Sequence, residues 1–205
     1  MRVGILVSGG GFVLQSILDS RLFGDLDGCE LGMVVSSQPG AYALFRAEMA
    51  GLPTAVEAAE SHPNRQSHLQ AVADRLLRDK CDTVVLAGFE PRLTAAFLDT
   101  FRGRILNVKD SLLPLFGELD TLAAQAEALR LGMRLTGATS CFVENEDGTG
   151  PIIDQRTVPV LAGDTPEALS DRITRQVGAD LLAEALTAFV AGKLTVENGR
   201  VYRAE

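Results

Sequence analysis

Three consecutive glycines follow a serine near the start of the chain, Ser8-Gly9-Gly10-Gly11, between an apolar run and a stretch of helical spacing. Glycines at such a turn let a backbone approach a ligand, and the N-terminus of the following helix offers free N–H groups to an anion. The turn has two readings, a phosphate site or a tight strand-to-helix connection. A dinucleotide fingerprint is not one of them, because Leu14 holds the place of its third glycine and no acidic residue stands where a ribose partner is expected. Side chains that titrate near neutral pH are scarce. The only histidines, His62 and His68, lie in one short segment, so a general base elsewhere must come from another residue type. The three cysteines, Cys29, Cys81 and Cys141, are widely spaced and fit no metal pattern, which implies reduced thiols in a cytoplasmic protein and no metal.

The elements that must position these groups alternate. Apolar runs at Val3–Val7, Leu31–Val35, Thr54–Val56, Thr83–Ala87 and Arg104–Val108 read as strands. Leu14, Ile17, Leu18 and Leu22 have helical spacing, as do Leu69, Val72, Ala73, Leu76 and Leu77, with Ser61 and Pro63 as the expected start of the second helix. This order predicts an α/β fold, a doubly wound and mostly parallel sheet with helices on both faces. Leu135–Val143 and Pro151–Val160 read as two longer strands around the loop Glu144–Gly150. A long helix is expected from about Thr165 to Ala191, then a hairpin turning at Asn198-Gly199. No repeat or linker interrupts residues 1–205, which read as a single domain.

With 46% hydrophobic residues in 205, the chain can bury a substantial core. It has no apolar run of transmembrane length, and its first residues lack a small-residue cleavage site, so they read as a buried strand. A net charge of −8 argues against a nucleic-acid surface while leaving room for a local basic pocket.

Four stretches in order carry a resemblance. They are Ile5–Gly11 with Leu14-Gln15, Val84–Phe89, Ile105–Val108 with Ser111–Pro114, and Thr136–Thr139 with Gly150–Ile153. Val158-Pro159-Val160 and the last helix continue it. Together they resemble the glycinamide ribonucleotide formyltransferases of purine biosynthesis over nearly the whole chain. The resemblance implies a Rossmann-like formyltransferase fold and a cis Leu113–Pro114 bond. It also implies transfer of a formyl group from 10-formyltetrahydrofolate, as co-substrate, to glycinamide ribonucleotide. Catalytic groups would be Asn107, with Lys109 where the family has a histidine and Asp147 near its aspartate. The aspartate position itself aligns with Gly148, with a one-residue ambiguity in the loop. Gly9, Gly10, Gly11, Phe12, Val13 and Arg65 would hold the nucleotide, although Phe12 and Val13 replace a hydroxyl residue and an asparagine. Phe89, Glu90, Arg92, Leu93, Val143 and Glu144 would border the pterin. An acidic residue of the last helix is missing near Val177-Gly178, Cys141 replaces a histidine, and Asp110 follows Lys109 in place of a proline.

These substitutions leave alternatives. A protonated Lys109 can stabilise an oxyanion but accepts a proton poorly, and Lys109-Asp110 can equally be a solvated ion pair on a loop. The chain therefore reads as a formyltransferase with weakened or lost activity, as a non-catalytic ligand-binding or regulatory homologue, or as an acyltransferase for another substrate. Each is a monomer or homodimer acting on a small nucleotide or folate-like ligand, with no nucleic-acid or membrane partner.

Overall fold

The computed structural model describes residues 1–204. The first part of the chain runs β1 (Arg2–Val7), α1 (Phe12–Phe23), β2 (Glu30–Ser36), α2 (Tyr42–Met49), β3 (Thr54–Val56), α3 (Arg65–Arg78), β4 (Thr83–Leu86), α4 (Ala95–Thr100) and β5 (Ile105–Lys109). The second runs α5 (Thr121–Arg130), β6 (Leu135–Phe142), β7 (Ile152–Pro159), α6 (Pro166–Ile173), a π-helical turn (Thr174–Gly178), α7 (Ala179–Val190), β8 (Leu194–Glu197) and β9 (Arg200–Arg203). One seven-stranded sheet has the order β3-β2-β1-β4-β5-β6-β7, parallel from β3 to β5 and antiparallel through β6 and β7. β8 and β9 form a separate hairpin. This is the doubly wound, mostly parallel sheet that the alternation of elements predicts.

The period of two along β1 divides the core. Val3, Ile5 and Val7 pack with Leu14, Ile17, Leu182 and Leu186 of α1 and α7. Leu6 packs on the other side with Leu69, Leu76 and Phe97 of α3 and α4. Burial on both faces explains why the central strands are continuous apolar runs.

An ion-paired cluster fixes the amino end of the sheet. β1 and β2 pair Val3 with Leu31 but Ile5 with Val34, so β2 carries one extra residue. The Met33 N–H at this bulge donates to Asp79 Oδ2 at 2.7 Å, and Arg2 Nη2 reaches Asp79 Oδ1 at 2.8 Å. Arg2 also pairs with Glu30. Burial pushes the Asp79 carboxyl up, but the bonds from Arg2 and Met33 outweigh it and hold the group below its ordinary value.

Several boundaries differ from the sequence expectation. α3 begins at Arg65, because the Asn64 side chain caps it by accepting from Ser67 N–H at 2.9 Å, while Ser61 belongs to a separate 3-10 turn, Ala59–Ser61. Leu22 and Leu77, expected on buried faces, are exposed. Leu22 lies in the last turn of α1, just before Gly24 ends it, and Leu77 is rotated about 100° from the buried Leu76. The expected helix from Thr165 to Ala191 is two helices joined through the π turn. Leu113–Pro114 is cis. No helix among the described residues is long and apolar enough to cross a membrane.

Asp79→Ala removes the partner of both Arg2 and the bulge N–H. It is expected to cost about 2 kcal/mol, lowering Tm by roughly 4–8 °C in a pH 7 melt. Because the native carboxyl is held low, its stabilisation is present above the unfolded value and lost as pH falls through the folded one. The gap between wild type and variant should therefore begin to narrow as pH falls below about 4, the unfolded carboxyl value, and keep narrowing with further acidification. An equal gap at all pH values would refute the assignment.

Candidate functional site

β5 lies between β4 and β6, and its carboxyl end carries the polar residues. Asn107 is buried there, and its Nδ2 donates to the Gly148 carbonyl at 3.0 Å. Two residues on, Lys109 Nζ donates to the carbonyls of Asp147 at 3.3 Å and Leu119 at 3.4 Å. Burial lowers the Lys109 pKa from its ordinary 10.5, and the Asp147 carboxylate opposes that shift. Lys109 and Asp110 are not a solvated ion pair. Lys109 turns to the Asp147 loop, whereas Asp110 hydrogen-bonds Thr174 Oγ1 at 2.8 Å on the π turn.

Asp147 sits in the turn between β6 and β7. Its Oδ1 accepts from Thr149 N–H at 3.0 Å and Thr149 Oγ1 at 2.6 Å. Gly148 beside it has φ 84°, and a Cβ there would stand 2.8 Å from Asn107 Nδ2. A carboxylate in register with Gly148 therefore has no room while Asn107 holds this loop. Leu93 N–H donates to the Glu146 carbonyl at 2.9 Å, tying the loop to the segment that follows β4. Together these segments enclose a cavity of about 350 Å³ in which Phe89, Glu90, Arg92 and Leu93 face Asn107, Lys109 and Asp147. A wider cleft adjoins it, sharing Arg92 and Asp147, and takes in Glu144 and Arg200 of the C-terminal hairpin. Val143 is buried behind the cavity in the α3–α4 core.

The glycine turn lies at the end of β1. Gly11 has φ 74°, and a Cβ on it would meet Ala43 Cα at 2.8 Å, so α2 packs where only glycine fits. The Gly9 carbonyl accepts from Ala43 N–H at 3.1 Å and the Gly10 carbonyl from Arg46 Nε at 3.0 Å. The N–H groups of Gly10, Gly11 and Phe12 make no hydrogen bond among the described residues. Phe12 is partly exposed and lies between two guanidinium groups, Arg175 at 3.8 Å and Arg46 at 5.3 Å from its ring centre. Val13 is buried under the turn.

Sequence reasoning missed Arg46 and Arg175. They reach the turn from α2 and the π turn, and no local pattern signals either. Arg175 is also paired with Asp171 at 2.6 Å, whereas Arg65 does not reach the turn and bonds Glu146 at 2.8 Å. Both histidines are engaged with Glu57, His62 Nε2 with its carboxylate at 3.2 Å and His68 Nε2 with its carbonyl at 2.7 Å. Cys141 is buried and pushed up to about 12 by that burial. No cluster of metal-ligating side chains occurs among the described residues.

Comparison with known proteins bears on this geometry. The family model described as Formyl transferase matches residues 1–186. The phosphoribosylglycinamide formyltransferase of Haemophilus influenzae is 33% identical over 201 residues, which is 98% of this chain and 92% of that protein. The trifunctional purine biosynthetic protein adenosine-3 of Chironomus tentans is 35% identical over 173 residues, and the match covers 84% of this chain but 12% of that longer protein. The crystal structure of glycinamide ribonucleotide transformylase 1 from Symbiobacterium toebii superposes with a TM-score of 0.91 at 38% identity, covering 100% of this chain and 94% of that one.

Gly148→Ala tests the contact between the loop and Asn107. An L-residue at positive φ, crowding a buried amide, should cost on the order of 2 kcal/mol and lower Tm by roughly 4–8 °C. An unchanged melt would show that the loop yields without displacing Asn107.

Proposed function

Because the chain belongs to the formyl transferase family, on its phosphoribosylglycinamide formyltransferase branch, we propose that it is a slow one-carbon transferase. The donor is 10-formyltetrahydrofolate and the acceptor is the amine of glycinamide ribonucleotide. The observation that carries this reading is Asn107 and Lys109 side by side at the carboxyl end of β5, facing the cavity closed by the 89–93 and 145–149 segments.

Attack of the acceptor nitrogen on the formyl carbon gives a tetrahedral oxyanion. Asn107 Nδ2 keeps one N–H beyond its bond to Gly148, and Lys109 Nζ keeps one beyond its two carbonyls. These two donors supply the stabilisation the oxyanion needs. Collapse breaks the bond to N10 of the folate, which takes up a proton, while the acceptor nitrogen loses one. The folate occupies the cavity beside Phe89, Arg92 and Leu93. The anionic end of the acceptor lies against the free N–H groups of the glycine turn, where Arg46 adds positive charge and Arg175, paired with Asp171 at 2.6 Å, covers Phe12.

Proton removal is the weak step. Burial lowers the Lys109 pKa and the Asp147 carboxylate opposes that shift; in its ammonium form the side chain stabilises the oxyanion but cannot accept the proton. Lost general-base catalysis typically reduces rate on the order of 10²–10⁴-fold.

The test compares purified wild type with Lys109→His, following folate product by absorbance. Wild-type kcat at pH 7 should fall below about 1 s⁻¹, and Lys109→His should raise it about tenfold or more. The wild-type rate should climb with pH above neutrality as the lowered Lys109 loses its proton, and the histidine variant should reach its plateau at lower pH. A wild-type kcat of roughly 1–10³ s⁻¹ at pH 7 would overturn the slow-enzyme reading. Absence of transfer at every pH, with folate binding retained, would favour a non-catalytic homologue. The bonds that occupy Asn107 and Asp147 in this structure support that second reading.

A further inference from the structure

Strand alternation turns Asp110 away from the cavity that holds Asn107 and Lys109. Val108, on the same side as Asp110, packs against the core under α7. Asp110 meets α6 and the π turn. Its Oδ2 accepts from Thr174 Oγ1 at 2.8 Å and lies 3.5 Å from Ser170 Oγ. Its Oδ1 makes no hydrogen bond among the described residues, and no cation pairs with the carboxylate. Gly178 faces it, where a Cβ would stand 3.3 Å from Oδ1, so the carboxylate fills space that a side chain on the helix would otherwise take. Asp110 is half-buried, and its Oδ1 is not among the unpartnered side-chain atoms sealed from solvent. Thr174 is adjacent in sequence to Arg175, which covers Phe12 at the glycine turn. One π turn thus lines a single wall from the anion-binding end of the site to Asp110.

We propose that Asp110 is an acceptor-binding carboxylate whose free Oδ1 accepts hydrogen bonds from the hydroxyl or ammonium donors of the formyl acceptor. The carboxylate that the family resemblance places on the last helix is here delivered from the end of β5, and Gly178 makes room for it. This inference rests on the function proposed above.

The group is kept at a cost to stability. Burial pushes its pKa up to about 6, against the hydroxyls of Thr174 and Ser170 and the charge of Lys109. The groups facing it from α6 and the π turn are Ser170, Thr174 and Gly178, and Gln125 of α5 bonds its main-chain carbonyl; none of these titrates. A raised carboxyl binds protons more readily in the folded state, so its contribution is present at low pH and lost as pH rises through about 6.

The experiment titrates glycinamide ribonucleotide and ribose 5-phosphate into wild type and Asp110→Asn by calorimetry, and melts both proteins at pH 7. Asp110→Asn should hold or raise Tm, by about 2–4 °C, and bind glycinamide ribonucleotide about tenfold or more weakly. Parallel loss with ribose 5-phosphate places the contact on hydroxyls, and loss confined to glycinamide ribonucleotide places it on the amine. Asp110→Ala with Gly178→Glu, which returns a carboxylate to the helix, should regain part of the affinity that Asp110→Ala alone loses. Equal binding by wild type and Asp110→Asn overturns the inference and leaves the proposed function standing. Lost binding together with a fall in Tm of several degrees makes Asp110 a structural residue and also overturns it. If wild type does not bind glycinamide ribonucleotide at all, the acceptor assignment falls and the inference falls with it.

Discussion

The two-residue alternation of β5 is the constraint on which the site depends. The strand is held between β4 and β6, so its register cannot slip without turning Leu106 out of the α1–α7 core. With the register fixed, Asn107 and Lys109 face one side of the sheet and Val108 and Asp110 the other. The cavity between the 89–93 and 145–149 segments forms on the first side, and the wall made by the π turn on the second. The two sides meet at the strand's carboxyl edge, where open α/β sheets gather their ligands.

Local charge departs from the charge of the whole. The chain carries −8, yet Arg46 and Arg175, the latter paired with Asp171, lie against Phe12 beside the unpaired N–H groups of the glycine turn, and Lys109 stands in the cavity. Phe12 supplies no hydrogen bond, but its ring gathers two guanidinium groups at the helix N-terminus. The histidines add nothing here, because Glu57 binds both of them outside the site. The charged groups at the end of β5 are therefore a lysine, whose pKa burial lowers, and carboxylates with opposite surroundings. Asp147 is held by Thr149, and Asp110 has an open oxygen in a tight space.

Much of the fold was legible because its determinants are local. The apolar runs of β1, β2, β4 and β5 are strands because both of their faces are buried, and Asn198-Gly199 is a hairpin turn because it takes the positive φ such a turn requires. α2 was not legible. Its buried positions are the small residues Ala43 and Ala47, while Tyr42, Phe45 and Met49 are exposed, so apolar periodicity points to the wrong face. The six residues of α4 are too few to show a period.

The sequence alone determined the strand runs and the alternation behind the parallel part of the sheet, the glycine turn and the presence of Asn107 and Lys109 at a strand end. Tertiary structure decided what these residues do to one another. Only folding brings Arg46 and Arg175 to Phe12, commits Asn107 to Gly148, separates Lys109 from Asp110, and opens room at Gly178 for a carboxylate from another element. The physical reason is range. Backbone propensity and hydrophobic period act over a few neighbouring residues, whereas hydrogen bonding, burial and close packing at this site join residues that are remote in the chain.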